Sequence, residues 1–204
     1  MTRSPMDPID AFAELGRIKL GETGLDDVLQ HVAELAQRVL PVPVEVSVTL
    51  IRGETGQTAA FTGDLAFDLD ERQYAQGSGP CLDAATGGGV LSVPDLSTED
   101  RWPDWVERGR SIGVGSSVSI GMPVREAVVG ALNLYARTPH AFDDDTVTVL
   151  ETFAAYAAVA LANARLSDST ISLARQVHEA TASRAFIAQA RETGASYFPS
   201  GRPY

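Results

Sequence analysis

At 204 residues with 44% hydrophobic content, the chain is long enough to fill one core and short for two, so one domain plus extensions is expected. A formal net charge of −11 excludes a protein whose main task is gripping phosphate backbones, because that affinity comes from Lys and Arg. One cysteine excludes an intrachain disulfide; with no signal peptide and no apolar run approaching the ~18 residues of a membrane span, the sequence reads as a cytoplasmic protein without membrane contact.

Taken in order, the chain opens with a helix expected from Asp7-Pro8, a capping residue followed by proline at the first helical position, with Phe12, Leu15 and Ile18 on one face. Thr23-Gly24-Leu25-Asp26 resembles a capping box, and Leu25, Val28, Leu29, Val32, Leu35, Ala36 and Val39 follow at amphipathic helical spacing until Pro41 and Pro43. Val44 to Arg52 alternates Val44, Val46, Val48 and Leu50 with Glu45, Ser47 and Thr49, which predicts a strand with one buried face, and Gln57 to Thr62 returns as its hairpin partner. A short helix is expected over Asp68 to Tyr74. Trp102-Pro103 opens another that runs to about Ile112. Ser116 to Pro123 and Val128 to Arg137 form a second hairpin, turning near Glu126.

Asp143 to Asp145 then start a helix, where acids suit the positive end of the dipole. Its inward face is Leu150, Phe153, Ala154, Ala157, Ala158 and Leu161. Beyond it Leu166, Thr170, Leu173, Val177, Ala180, Arg184 and Ile187 alternate steps of four and three, a heptad-like seam. Such a helix either docks on its own domain or pairs in a dimer. The first helix supplies a second unattached amphipathic surface, so a homodimer is expected. The fold class these elements give is α+β, an antiparallel sheet flanked by helices with a long C-terminal helix.

The most distinctive stretch is Gln73 to Asp95, where two glycine clusters bracket a short apolar segment carrying Cys81. Ser78-Gly79-Pro80 sets up a helix start, Gly87-Gly88-Gly89 ends it, and Val90 to Val93 follows as a short strand. Gln73-Tyr74, Gly77-Ser78-Gly79-Pro80-Cys81-Leu82, Val93-Pro94-Asp95-Leu96, Arg101-Trp102-Pro103 and Gly130-Ala131-Leu132-Asn133-Leu134-Tyr135 together resemble the GAF-domain regulators of actinobacteria that carry an RNA-binding ANTAR domain behind the sensor. The resemblance covers roughly Phe12 to Arg191. It implies an N-terminal helix over residues 1–22, a GAF sensor domain over 23–166, and over 167–204 a helical extension like the start of an ANTAR domain followed by a disordered tail. Ala182 to Arg191 resembles the first ANTAR helix, which makes Arg184 and Arg191 the RNA-binding candidates of an antiterminator reading. The pattern then departs: Glu192 to Tyr204 leaves fewer residues than the ~50 a three-helix unit needs.

Catalytic signals are weak. Cys81 at a helix start could gain thiolate character, but the GAF-fold reductases of free methionine sulfoxide use several cysteines, so a structural thiol is expected. His31, His140 and His178 lie on separate elements without metal-ligand spacing, and GSGPC lacks the lysine and hydroxyl of a phosphate loop. The chain therefore reads as a non-enzyme that needs no cofactor or metal. Its expected ligand is a small, mostly apolar molecule in a pocket walled by Tyr74, Cys81, Trp102 and Trp105, seated between the two tryptophans and facing the hydroxyls of Ser117 and Ser119. Residues 73–100 contain no Lys or Arg, which disfavours a nucleotide.

Overall fold

The apolar half of the Val44–Leu50 alternation builds the main core. In the computed structural model, which describes residues 4–19, 22–53, 55–87, 89–124 and 127–163, these residues lie in strand β1 (Val44–Arg52). β1 pairs on one side with β2 (Thr55–Phe61) and on the other with β5 (Ala127–Ala136); β4 (Ser116–Val124) and β3 (Val90–Val93) complete an antiparallel sheet in the order β2-β1-β5-β4-β3. The α+β arrangement expected from the sequence is the one observed.

Val44, Val46, Val48 and Leu50 of β1, Val118, Ile120 and Met122 of β4, and Leu132 and Leu134 of β5 share one face of the sheet. Three helices cover it: α1 (Pro8–Leu15), α2 (Leu25–Arg38) and α6 (Asp144–Asn163). α1 starts as expected, with the Asp7 carboxylate accepting from Ile9 N at 2.8 Å, but it ends at Leu15 and leaves Ile18 beyond the helix. The capping box before α2 does not form. Gly24 is the cap residue there and no side chain bonds the first amides. The inward face expected for α6 is buried throughout, and Phe153 meets Phe12 of α1 with ring centroids 4.9 Å apart. By length and composition alone α6 is apolar enough to cross a membrane, which corrects the reading that no such run exists; its buried face is that of a core helix.

The opposite face carries Glu45, Ser47 and Thr49, and the expectation that only one face of β1 is buried fails here. Ser47 and Thr49 are fully buried, because α3 (Asp64–Gln76) and α4 (Pro80–Gly87) lie across this side, with α5 (Pro103–Ser111) packed against α3. α3 is nearly twice the Asp68–Tyr74 helix expected. Its first turn has no cap from its own neighbourhood at Gly63; instead the Glu45 carboxylate on β1 accepts from Leu65 N at 2.9 Å and Ala66 N at 3.1 Å. A long-range carboxylate thus does the work of an N-cap and also answers the helix dipole.

The chain divides into two units, Met1–Ala164 and Arg165–Tyr204, and the described residues all belong to the first. The turn expected near Glu126, the heptad seam from Leu166 to Ile187, and Arg184 and Arg191 lie outside the described residues.

Glu45 therefore pins α3 to the sheet. Glu45→Ala is expected to cost about 1–2 kcal/mol in urea unfolding, the range for a lost helix cap, with Glu45→Gln retaining part of it. Equal stabilities for all three chains would show that the cap contributes nothing.

Candidate functional site

Strand alternation and register together place a set of small polar side chains on one buried surface. Ser47 on β1 pairs with Asn133 on β5, which pairs with Ser119 on β4; one step along, Glu45 pairs with Tyr135 and Tyr135 with Ser117. Because these positions are two apart on each strand, all six face α3, α4 and α5. Ser47, Thr49, Ser117, Ser119 and Asn133 are fully buried, and Tyr135 nearly so. Antiparallel sheets commonly turn such a face to water. Here it is roofed by protein.

The roof contributes Asp70, Gln73 and Tyr74 from α3 and Cys81 from α4. Gln73 joins the two helices. Its side-chain oxygen accepts from Cys81 N at 2.8 Å, so Gly79 holds the cap position of α4 as expected while Gln73 of α3 supplies the capping side chain, and its amide nitrogen donates to Tyr135 Oη at 3.4 Å. Tyr74 reaches over the sheet edge. Its hydroxyl lies 2.9 Å from Thr49 Oγ1 and 3.0 Å from Thr58 Oγ1, and its ring occupies the space where a Cβ at position 56 would stand only 2.5 Å away, so Gly56 is what lets the ring lie on β2.

Asp70 is a fully buried carboxylate. Tyr135 Oη donates to Oδ1 at 2.7 Å and Thr58 Oγ1 donates to Oδ2 at 3.0 Å. No ion pair reaches it among the described residues. Desolvation raises its pKa from 3.8 to about 6, partly offset by hydrogen bonds from Ser47, Tyr135 and Thr58. Burial, followed by the charge of Asp70, also raises Tyr74, Cys81 and Tyr135 above their ordinary values. The Cys81 thiol is thus held protonated, the opposite of an activated nucleophile.

Of the six residues expected from the sequence, the structure brings Tyr74 and Cys81 together around Thr49, and buries Ser117 and Ser119 on the sheet beneath α4. Trp102 and Trp105 form a second group with Leu69, Val93 and Tyr135. The two indoles are in edge-to-face contact, centroids 6.1 Å apart, which leaves no gap for a ligand between them. Trp102 is buried beside α4: its Nε1 donates to Asp83 at 2.9 Å and Arg101 stacks over its ring at 4.4 Å. Trp105 Nε1, Ser117 Oγ, Ser119 Oγ and Asn133 Oδ1 are buried without a hydrogen-bond partner among the described residues. Asp70, Gln73, Thr49, Thr58 and Asn133 are not among the site residues the sequence suggests; Thr49, Thr58 and Asn133 are polar residues at alternate positions of β1, β2 and β5, a signal visible only once the strands are paired, and Asp70 and Gln73 are brought over them by the packing of α3.

The raised pKa has a definite sign. Folding favours the protonated Asp70, so its contribution to stability is complete below about pH 4 and lost as pH rises through about 6. The shift corresponds to about 3 kcal/mol. Between pH 4 and pH 7 the wild-type chain should therefore lose about 2 kcal/mol of this relative to Asp70→Asn in urea unfolding. Parallel pH profiles for the two chains would show Asp70 to be solvated.

Several solved structures share this architecture. The phycocyanobilin-bound GAF domain of a cyanobacterial phytochrome is 17% identical, with 79% of this chain and 97% of that one aligned at a TM-score of 0.61. Free methionine-R-sulfoxide reductase from Neisseria meningitidis, solved with its substrate, is 16% identical over 82% of this chain and 99% of that one, also at 0.61. The chromophore-binding domain of a bacteriophytochrome from R. palustris is 14% identical over 78% and 61%, at 0.59. At these identities the likeness is one of fold. No curated protein matches the chain. The family model for the GAF domain matches residues 22–162, most of the sequence and every element from α2 to the penultimate residue of α6, and on that match the chain belongs to the GAF-domain family.

Proposed function

We propose that this protein is a cytoplasmic, non-enzymatic small-molecule sensor that signals as a homodimer through its terminal helices, in the manner of GAF–ANTAR regulators whose ANTAR portion is reduced. The observation that carries this reading is the buried polar sheet face with its three unpartnered groups, Ser117 Oγ, Ser119 Oγ and Asn133 Oδ1, beside which Trp105 Nε1 of α5 is also unpartnered. A buried polar group without a partner costs about 1–3 kcal/mol, so a sheet face kept only for packing would be more stable with alanine or valine at these positions. Groups of this kind are instead what a ligand completes. Tyr74 and Cys81 form the wall over β1 and β5, and Trp105 closes the side toward β3. Trp102 lies beside α4.

Ligand seated on this face would act on α6 through β5. Asn133 and Tyr135 of β5 face the site, whereas Leu132 and Leu134 of the same strand pack in the core that α6 shares. Exposed Ile9 on α1 and Val159 on α6, at 76% and 54% accessibility, support pairing through these helices. A redox enzyme built on Cys81 finds no support in a lone buried thiol whose pKa is raised. The antiterminator reading requires RNA contacts by Arg184 and Arg191; salt-dependent stem-loop binding lost on substituting either would favour it.

Native mass spectrometry of protein purified from its own host should show a retained small molecule as added mass. The same compound should raise the melting temperature by mass action and shift tryptophan emission through Trp105. If a saturating metabolite panel moves neither signal, the sensor reading fails and a dimerisation module remains. Light scattering should separately give about twice the chain mass of 21.6 kDa. Removing Ser167 to Tyr204 should weaken pairing, and a fully dimeric truncation would overturn the role of the C-terminal helix.

A further inference from the structure

The hydrogen bonds beneath α3 have a direction, and donor counting fixes it. With Asp70 ionised, both its oxygens only accept. Thr58 spends its proton on Asp70 Oδ2, so in its contact with the Tyr74 hydroxyl Thr58 must accept and Tyr74 donate. Tyr74 has then spent its single proton, and Thr49 must donate to it. Thr49 in turn accepts from Asn133 Nδ2 at 2.9 Å. A second arm runs from Asn133 Nδ2 to Ser47 at 3.2 Å, and Ser47 stabilises the Asp70 carboxylate. A third runs from Gln73 through Tyr135 to Asp70. Every proton in the network points toward Asp70.

Two of these arms start at one side-chain amide, and both of its N–H groups are used on the β1 side. The carbonyl end of Asn133 is therefore turned away from β1, toward β4, where its register partner is Ser119 and where Oδ1 has no partner. Ser117 lies two residues along on the same face, also unpartnered. An anion there would meet a carbonyl oxygen and the field of the buried Asp70 carboxylate. A cation beside Asn133 Oδ1 would be offered only neutral oxygens by Asn133, Ser117 and Ser119, and burying a charge without a paired charge is costly.

We propose that the ligand of this sheet face is an uncharged molecule that donates an N–H or O–H bond to Asn133 Oδ1, with the flexible hydroxyls of Ser117 and Ser119 completing its polar group, and that Asp70 is the positioning residue that fixes the amide's orientation. This rests on the sensor reading above and narrows it to a ligand class. An aromatic or aliphatic body with one primary amide, lactam or hydroxyl head fits the description.

A matched panel tests the class on the whole protein: benzamide, acetophenone, benzoate and benzylammonium, which share a ring and differ in the head group. Binding is read from the Trp105 indole and Asn133 side-chain amide resonances of 15N-labelled protein. Benzamide should bind about tenfold more tightly than acetophenone, the worth of one hydrogen bond to an otherwise orphaned acceptor, and the two ions more weakly still. In Asp70→Asn the residue at position 70 can donate, the relay can run either way, and the Asn133 amide can flip; the benzamide preference should fall toward one. A structural role alone would weaken all four compounds together and leave their ratio unchanged. Acetophenone, benzoate or benzylammonium binding the wild-type chain as tightly as benzamide would overturn the ligand class, as would failure of all four to bind at millimolar concentration. The wild-type ranking stands as a test even if the variant does not fold. A retained host metabolite that is an anion would refute this inference while leaving the sensor reading intact, whereas absence of any retained or panel ligand would remove both.

Discussion

The structure depends on a sheet both of whose faces are removed from water while only one of them is apolar. On the α2/α6 side, burial of valine, leucine and isoleucine supplies the hydrophobic driving force in the ordinary way. On the α3/α4 side the same strands present serine, threonine, asparagine and tyrosine, and each must find a partner or leave a cost behind. α3 meets most of that demand. By placing one carboxylate, Asp70, where the hydroxyls converge, it gives Tyr135, Thr58 and Ser47 an acceptor that tolerates all three at once. Full occupancy of the β1/β2 half contrasts with the orphaned Ser117 and Ser119 hydroxyls on β4.

The helices over this face are tied on by polar contacts as well as by apolar ones. Glu45 reaches from β1 to the first turn of α3, and Gln73 reaches from α3 to the first turn of α4. The caps form a relay in which each element fixes the start of the next, so the placement of Cys81 and the small residues Ala84 and Ala85 against the sheet follows ultimately from a glutamate on β1. The α4 surface that faces the strands is made of Cys and Ala, which brings backbone close to Ala131. A helix held by one side-chain cap, with glycines at 77, 79 and 89 flanking it, has fewer apolar contacts to lose on moving than α2 or α6 does on the other side.

How far the sequence could carry this is clear from particular residues. The α2 and α6 inward faces, the β1 alternation, the proline-initiated α1 and α5, and the glycine-bounded α4 were legible because each is a local periodic or capping signal. The burial of Ser47 and Thr49 was not, because alternating polar positions on one strand look the same whether they meet water or a helix roof. Asp70 was hidden for the same reason: an acid in a helix between Asp68 and Glu71 reads as surface charge until tertiary packing puts it under the helix. Ser117 and Ser119 were suggested by alternation alone, and the structure buries both on one sheet face. Their cross-strand partners Tyr135 and Asn133 were not suggested, since register between β4 and β5 is a property of the paired sheet. The tryptophans illustrate the converse error, in which proximity along the chain suggested a binding slot and packing produced a ring-on-ring contact.

β5 is where the two faces communicate. It is the central strand, bonded to β1 and β4 on either side, and its residues alternate between the two environments: Ala131, Asn133 and Tyr135 toward the polar site, Leu132, Leu134 and Ala136 toward the helices. A strand in the middle of a sheet cannot shift one face without the other, because its Cβ atoms are fixed to a backbone whose hydrogen bonds are all used. Any rearrangement that satisfies or displaces Asn133 Oδ1 is felt by Leu132 and Leu134 one residue away, and they pack in the same core as Phe153, Ala157 and Leu161 of α6. The chain leaves β5 through a segment of seven residues and enters α6 directly. α6 both shares the core of β5 and follows it in sequence, while its Val159 is exposed to solvent.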